Sequence, residues 1–277
     1  MQPTLSTICS LDAPLEKIVE EYAAGHCEAI DLWLGHAEAF LEKKSVNALK
    51  DCLTANRIAP LAASFQGGLL TSQGDARREH WQHFEKRIAL LTELGIPVLV
   101  IAGDALGPLG PEDLGRLSMS LTEAAKRAAD VGLKLALEFD AKASFPNNLQ
   151  SAVALVEDVG YPSLGLCLDW FHFTVGPSKS LDLRLLSREN LAHVQLSDIA
   201  DVPREMASDS ERILPGEGSS PPDDLVRTLV AIGYTGSVSV EVYNPRLWRV
   251  PPRQFGEIAM TSLRRLLGLA AMQSHSE

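Results

Sequence analysis

The sequence is poor in the features that mark several classes of protein. Its 277 residues include only four cysteines, with no C-x-x-C pair, so neither a zinc knuckle nor a redox dithiol is predicted. Basic residues are outnumbered, 25 against 36 acidic ones, and the formal charge of −11 argues against a protein that binds nucleic acid. No apolar run approaches the roughly 18 residues of a membrane span, and the first residues lack a signal-peptide pattern. We therefore expect a cytoplasmic protein with reduced thiols and no membrane partner.

Eight short apolar runs are present, and longer amphipathic segments alternate with them along the chain. The runs cover residues 4–10, 28–34, 60–65, 97–103, 134–139, 164–169, 191–196 and 236–242. Repeated strand and helix units predict an α/β protein with a parallel sheet, and eight of them predict a (β/α)₈ TIM barrel as a single domain over residues 1–277. An open doubly wound sheet is the alternative. It is less favoured because no G-x-G-x-x-G motif follows the first run.

One connection is much longer than the others. Residues 198–220 form a polar segment between the seventh run and the next helix, and the turn sequence "LPGEG" lies near the end of this segment. Loops of this length inside a compact domain are usually functional or disordered, and the absence of low complexity favours a functional loop here.

Four late runs have one apolar and one mixed face. In each, apolar side chains alternate with small or polar ones, as expected when successive residues of a strand point to opposite sides. In a closed barrel the apolar faces pack against helices and the mixed faces point into the lumen. At or near the C-terminal ends of these runs the mixed faces carry Glu138, Asp169, Gln195 and Glu241. Active sites of barrels are built at this end of the strands.

Three carboxylates brought together in a partly dry cavity repel one another, unless one is protonated or a cation is present. A divalent metal ion removes this repulsion. Three carboxylates and an amide oxygen suit Mn²⁺ or Mg²⁺ better than Co²⁺ or Zn²⁺, which stay as alternatives. We therefore predict one divalent ion held by Glu138, Asp169, Gln195 and Glu241. The competing interpretation is that these are ordinary polar residues at strand ends.

Several segments resemble those of a known family. The stretches "LALEF", "LCLDWFH", "HVQLSD…PRE…LPGEG" and "VSVEVYNP" are similar, in order and spacing, to the xylose isomerase-like TIM barrels, which include sugar isomerases, epimerases and related dehydratases. The resemblance implies the same four metal ligands. Most members have histidine at the third position, whereas this chain has Gln195. Hydroxypyruvate isomerase-like and some 3-dehydroshikimate dehydratase-like members also have glutamine there.

The resemblance also implies roles for individual residues. Glu138 and Glu241 resemble the acid–base pair that moves a proton on the two faces of an enediolate, a chemistry that positioned carboxylates can perform. His172 matches the family's D-x-x-H and would bind substrate; a surface loop histidine is the alternative. Arg204 resembles a substrate-contacting arginine, although a loop ion pair with Glu205 competes with this role.

Three further residues are singled out by position. Strict alternation along 191–196 places His193 on the mixed face with Gln195, and Ala192 on the apolar face. Because His193 lies deeper than Gln195, we expect a hydrogen-bonded support rather than a ligand. Trp33 and Gln66 lie near the ends of the second and third runs and are expected to line the substrate pocket, with core packing as the alternative for Trp33.

The leading hypothesis is a metal-dependent isomerase or epimerase of a small sugar or hydroxycarbonyl compound, acting through an enediolate. The alternative is a metal-dependent dehydratase of the 3-dehydroshikimate or inosose type. An endonuclease of the same family and a non-catalytic sugar-binding protein are less favoured. The expected partner is a small sugar or polyol-derived substrate, and a homo-oligomer is expected from the resemblance.

Overall fold

The structure, a computed structural model, describes residues 1–269, and its parallel strands close into a barrel. In chain order the strands are β1 (Gln2–Ser6), β2 (Ala29–Trp33), β3 (Ala59–Gln66), β4 (Val98–Gly103), β5 (Lys134–Phe139), β6 (Leu164–Asp169), β7 (Leu191–Leu196), β8 (Asp198–Ile199), β9 (Arg212–Ile213) and β10 (Ser237–Val240). The barrel has the strand order β1-β10-β7-β6-β5-β4-β3-β2. Each predicted run overlaps one barrel strand, so the predicted TIM barrel is confirmed.

Helices follow the barrel strands, as the amphipathic segments predict. They are α1 (Leu15–Ala24), α2 (Leu34–Leu41), α3 (Val46–Ala55), α4 (Gly74–Leu94), α5 (Pro111–Asp130), α6 (Leu149–Val159), α7 (Trp170–Val175), α8 (Asp223–Ala231) and α9 (Pro252–Leu266). The Asn148 side chain caps α6 by accepting the Ser151 N–H at 2.8 Å, and Gly160 ends this helix at a φ of 63°. Among the described helices, none is both long and apolar enough to cross a bilayer.

The long polar segment after β7 has structure of its own. Its strands β8 and β9 pair antiparallel, with Asp198 opposite Ile213. The Asp198 carboxylate then accepts three backbone N–H groups at 2.8–3.2 Å, from Gly216 and Gly218 of the "LPGEG" turn and from Ser220 just after it. A single buried carboxylate therefore fixes the C-terminal end of this loop. Alternation and turn signals in the sequence did not predict these hydrogen bonds.

By residue contacts the chain divides into two compact units. Of its described residues, the first unit contains 1–61 and 195–269. In this unit β1 pairs with β10 and with β2, so that Thr4 lies opposite Ser239 and Ser6 opposite Asp31. These polar residues lie on one face of the sheet. The prediction that residues 1–277 form one domain stays a prediction, and residues 270–277 lie outside the described part.

The second unit, residues 62–194, has a small interior cluster. Its buried side chains are Val100, Ala136, Cys167 and Ala192, with Val98 packed against them. Strict alternation predicted Ala192 on the opposite face from these mixed-face residues, and this expectation is wrong. The reason is Gly165, which has no side chain: a Cβ there would lie 3.0 Å from the Ala192 Cβ. The space left by Gly165 admits Ala192 to the cluster.

Candidate metal centre

Two acidic residues and a histidine come together at the ends of β5 and β6. Glu138 is the fifth residue of β5 and pairs with Cys167 of β6, so Asp169 lies on the same face and nearer the strand end. Asp169 is also the residue before α7, and its Oδ1 accepts the Phe171 N–H at 2.8 Å. This cap fixes the carboxylate. The first turn of α7 then brings His172 back beside Asp169.

The geometry of this group suits a bound cation. One ligand atom each from Glu138, Asp169 and His172 can be chosen so that all lie within 4.8 Å of one another. His172 Nε2 is 3.6 Å from Glu138 Oε1 and 3.7 Å from Asp169 Oδ2, both too long for hydrogen bonds. Metal–ligand distances of about 2.0–2.2 Å leave donor atoms about 3–4 Å apart around one ion. The side chains are sheltered, with Asp169 fully buried, His172 12 % exposed and Glu138 13 % exposed.

The other ring nitrogen of His172 faces the loop after β5. Nδ1 is 3.4 Å from Asp140 Oδ1, and the Ala141 N–H also points to it at 3.4 Å. In the structure Nδ1 accepts the Ala141 N–H. An imidazole that binds a cation through Nε2 carries its proton on Nδ1 instead, and His172 would then donate this proton to Asp140 in place of the Ala141 hydrogen bond. Sequence reasoning did not select Asp140, although it directly follows the "LALEF" strand.

Gln195 and Glu241 lie in the first unit. Gln195 is fully buried, and its amide nitrogen donates to Asp31 Oδ2 at 3.4 Å. Glu241 directly follows β10, is 9 % exposed, and donates its backbone N–H to the Leu196 carbonyl at 3.0 Å. Asp31 is a buried acid that the sequence prediction left out. Its position on the mixed face of the run 28–34, two residues before Trp33, was the available signal.

The buried arginine of the long loop is Arg212. Its side chain is 4 % exposed, its Nε donates to Asp209 at 3.0 Å, and Nη1 lies 3.5 Å from Ser197 Oγ. The predicted Arg204 is instead 59 % exposed and pairs with Glu205 at 3.2 Å. Sequence reasoning did not select Arg212 as a site residue, and its place two residues before the "LPGEG" turn was the signal that could have found it.

The remaining predicted residues have the following places. Trp33 ends β2 half-buried, and its backbone N–H donates to Thr7 Oγ1 at 2.8 Å. Gln66 is buried, and its amide oxygen accepts from Arg87 of α4 at 3.0 Å. His193 is fully buried in β7. The roles of all three in binding substrate or supporting Gln195 stay predictions.

The fold and this group define an α/β barrel with a carboxylate–histidine cluster at strand ends. The chain belongs to the xylose isomerase-like TIM barrel family, whose profile matches residues 20–266.

Relatives of known activity are enzymes. The inosose isomerase of Halalkalibacterium halodurans is 28% identical over 219 residues, covering 76% of each chain. A 3-dehydroshikimate dehydratase of Pseudomonas aeruginosa is 30% identical over 191 residues, 67% of this chain but 29% of the dehydratase. The solved structure of the IolI protein with a bound zinc atom superimposes with a TM-score of 0.90 over 97% of this chain and 98% of that one, at 22% identity.

Proposed function

We propose that the chain is a divalent-metal-dependent isomerase or epimerase of a small sugar or hydroxycarbonyl compound. The observation that carries this proposal is the group of Glu138, Asp169 and His172, whose ligand atoms lie within 4.8 Å of one another at strand ends. The 28% identity of the chain to an inosose isomerase supports isomerase activity.

The proposed ligands are the four residues of the sequence prediction, Glu138, Asp169, Gln195 and Glu241. Their oxygen donors favour Mn²⁺ or Mg²⁺. His172 adds a nitrogen donor on the Glu138 side, which would also suit Co²⁺ or Zn²⁺. A bound divalent ion would stabilise the negative charge that develops on a carbonyl oxygen when a neighbouring proton is removed.

The protein's own part in the reaction is proton transfer and positioning. We propose that Glu138 and Glu241 remove a proton from the carbon beside the carbonyl and return one to the neighbouring carbon or to the other face. His172 would hold a substrate hydroxyl, or bind the ion through Nε2, with Asp140 orienting the ring at 3.4 Å. The buried Arg212 is a further candidate for contact with a substrate oxygen.

A dehydratase is the second candidate. The 30% identity over 191 residues to a 3-dehydroshikimate dehydratase favours it. Such an enzyme would share the first proton removal and then expel a β-hydroxyl. The conjugated product would absorb in the ultraviolet, whereas the product of an isomerase or epimerase would not.

The test uses metal-free protein reloaded with Mn²⁺ and assayed on ketoses, hydroxypyruvate, an inosose and 3-dehydroshikimate. We expect turnover of a hydroxycarbonyl compound without new ultraviolet absorption, and its loss in Glu138→Gln together with loss of stoichiometric metal. Glu205→Gln, which changes an exposed glutamate of the long loop, is the matched control. An active Glu138→Gln enzyme with full metal content would overturn the proposal.

The cytoplasmic location, the absence of nucleic acid partners and the homo-oligomer stay predictions. Cell fractionation tests the first, and light scattering of the purified chain tests the last.

A further inference from the structure

Glu241 lies where the regular pairing of its strand has ended. β10 stops at Val240, whose partner in β1 is Leu5. One residue after Leu5, β1 itself ends, and the chain turns into a 3₁₀ helix at Thr7–Ser10. We infer that the buried thiol of Cys9, in this helix, takes the place of the ended strand and is a positioning residue for Glu241. This inference rests on the proposed function, in which Glu241 binds the metal ion and moves a proton.

The backbone around Glu241 is held from two sides. On one side, the Glu241 N–H donates to the Leu196 carbonyl of β7 at 3.0 Å. On the other side, the next N–H along the chain, that of Val242, donates to Cys9 Sγ at 3.2 Å. The Cys9 S–H in turn donates to the Val240 carbonyl at 3.5 Å. One thiol therefore bridges the residues before and after Glu241, as a paired strand would.

The hydrogen bond from Val242 matters because of where it lies. Val242 and Cys9 are both fully buried, and a buried backbone N–H needs an acceptor inside the protein. A thiol is a weak donor and a weak acceptor, so the effect of Cys9 is to fix the position of the chain more than to add stability. Alanine at this place would offer neither a donor nor an acceptor.

The Cys9 thiol stays protonated in these surroundings. Burial raises its pKa well above the ordinary value, and the nearby charges of Glu241 and Asp31 add to the rise, while the Val242 N–H opposes it. A protonated thiol can donate to the Val240 carbonyl and accept from Val242 at the same time. Because a reactive cysteine must be accessible and ionised, a role as nucleophile does not fit this environment.

The helix that carries Cys9 is itself fixed by α1. The hydroxyl of Tyr22, a fully buried residue of α1, donates to Ser10 Oγ at 2.9 Å. Ser10 directly follows Cys9, so this bond limits the movement of the thiol. Hydrogen bonds that support a metal ligand from behind in this way orient the ligand.

Cys27 offers a matched control in the same unit. Its side chain is buried, its thiol donates to the Ala29 carbonyl at 3.0 Å, and burial raises the pKa of this thiol to about 12. Cys27 precedes the start of β2, however, whereas Cys9 follows the end of β1. Cys27→Ala therefore removes the same atoms and a similar hydrogen bond, but at the start of a strand, away from Glu241.

Two measurements test the inference. The first is amide hydrogen exchange at residue 242 in the metal-free chain, which should be about tenfold or more faster in Cys9→Ala and unchanged in Cys27→Ala. The second is titration of the metal-free chain with Mn²⁺. The dissociation constant should rise about tenfold in Cys9→Ala and stay the same in Cys27→Ala. Cys9→Ser keeps one donor and one acceptor, so it should restore most of both properties.

Three results would contradict the role of Cys9. They are unchanged exchange at residue 242 in Cys9→Ala, an equal loss of Mn²⁺ affinity in Cys9→Ala and Cys27→Ala, and faster exchange with an unchanged Mn²⁺ dissociation constant in any folded Cys9 variant. The last comparison can be made with Cys9→Ser even if Cys9→Ala does not fold.

Glu241→Gln separates this inference from the proposed function. If Glu241→Gln binds Mn²⁺ as tightly as the wild type, Glu241 is not a ligand, and both proposals fail. If Glu241→Gln loses Mn²⁺ while Cys9→Ala binds it normally, the proposed function stands and the positioning role of Cys9 is wrong. We expect loss of Mn²⁺ in Glu241→Gln and weaker binding in Cys9→Ala.

Discussion

Asp104, the residue after β4, is a carboxylate that the fold keeps from ionising easily. Burial raises its pKa, although the Gly68 N–H, which donates to Oδ2 at 2.6 Å, acts in the other direction. Its other oxygen, Oδ1, is buried and has no hydrogen-bond partner among the described residues. A group whose folded pKa is raised contributes stability that is fully present below its unfolded pKa and is lost as pH rises through the folded value.

The change Asp104→Asn tests this residue. Asparagine keeps an acceptor for Gly68 and cannot ionise, so the variant should melt at a higher temperature than the wild type at neutral pH. The difference should shrink as the pH falls towards the ordinary aspartate pKa of about 3.9. Thermal melts between neutral and mildly acidic pH measure it, and a difference that does not vary with pH would contradict the assignment.

Asp113 is the opposite case and serves as the control. The Gly110 N–H, and then Arg116, lower its pKa in the folded chain. Its contribution is therefore present above the unfolded pKa and is lost as pH falls through the folded value. Asp113→Asn should melt lower than the wild type at neutral pH, and this deficit should shrink on acidification. On acidification, the melting temperature relative to the wild type is therefore expected to fall for Asp104→Asn and to rise for Asp113→Asn.

At the scale of the elements, the end of β4 leaves no room for a side chain beside β5. A Cβ on Gly103 would lie 2.6 Å from the Glu138 carbonyl oxygen and 3.0 Å from Pro146. Because the first contact is with backbone, Gly103→Ala must move the strand that carries Glu138. We expect a loss of about 1–3 kcal/mol in the free energy of unfolding and weaker metal binding, measured by urea denaturation and metal titration.

A glycine of α5 is the matched control. Nothing lies within 4 Å of a Cβ on Gly115. Gly115→Ala should therefore stabilise the protein by roughly 0.5–1 kcal/mol, because alanine loses less backbone freedom in a helix. Metal affinity should not change. Equal effects of the two substitutions would show that space beside Glu138 is not the cause.

The sequence predicted the elements well because each strand is a short apolar run bounded by turn or helix-start residues. It predicted Glu138 and Asp169 correctly as neighbours, since adjacent parallel strands of matching alternation bring their ends together. It failed where a side chain's place depends on another element. Ala192 joins the interior cluster because Gly165, far away in sequence, leaves space. Arg212 is the buried arginine because of the β8–β9 pairing, which a pair of two-residue strands does not reveal.

At the scale of the whole molecule, a metal ion that binds only the folded chain must stabilise all of it by mass action. At a concentration about 100 times the dissociation constant this amounts to roughly 2.7 kcal/mol, or about 5–10 °C in melting temperature for a chain of this size. We expect saturating shifts of this order with Mn²⁺, and their reversal by a chelator. The net charge of −11 also attracts cations generally. The melting temperature with Mn²⁺ must therefore be compared with that in a buffer of equal ionic strength without divalent ions. It must also be compared with that of Asp169→Asn, which should lose the shift.

The identity of the ions that stabilise the chain then decides the role of His172. If Nε2 is a ligand, as its distances of 3.6 and 3.7 Å to the two carboxylates allow, His172→Ala should reduce the Zn²⁺ or Co²⁺ shift far more than the Mg²⁺ shift. The reason is that imidazole binds borderline ions in preference to hard ones. If His172 contacts only substrate, the shifts with all these ions should be unchanged while the KM rises. Melting curves of wild type and His172→Ala with each ion, set beside their KM values, distinguish the two roles.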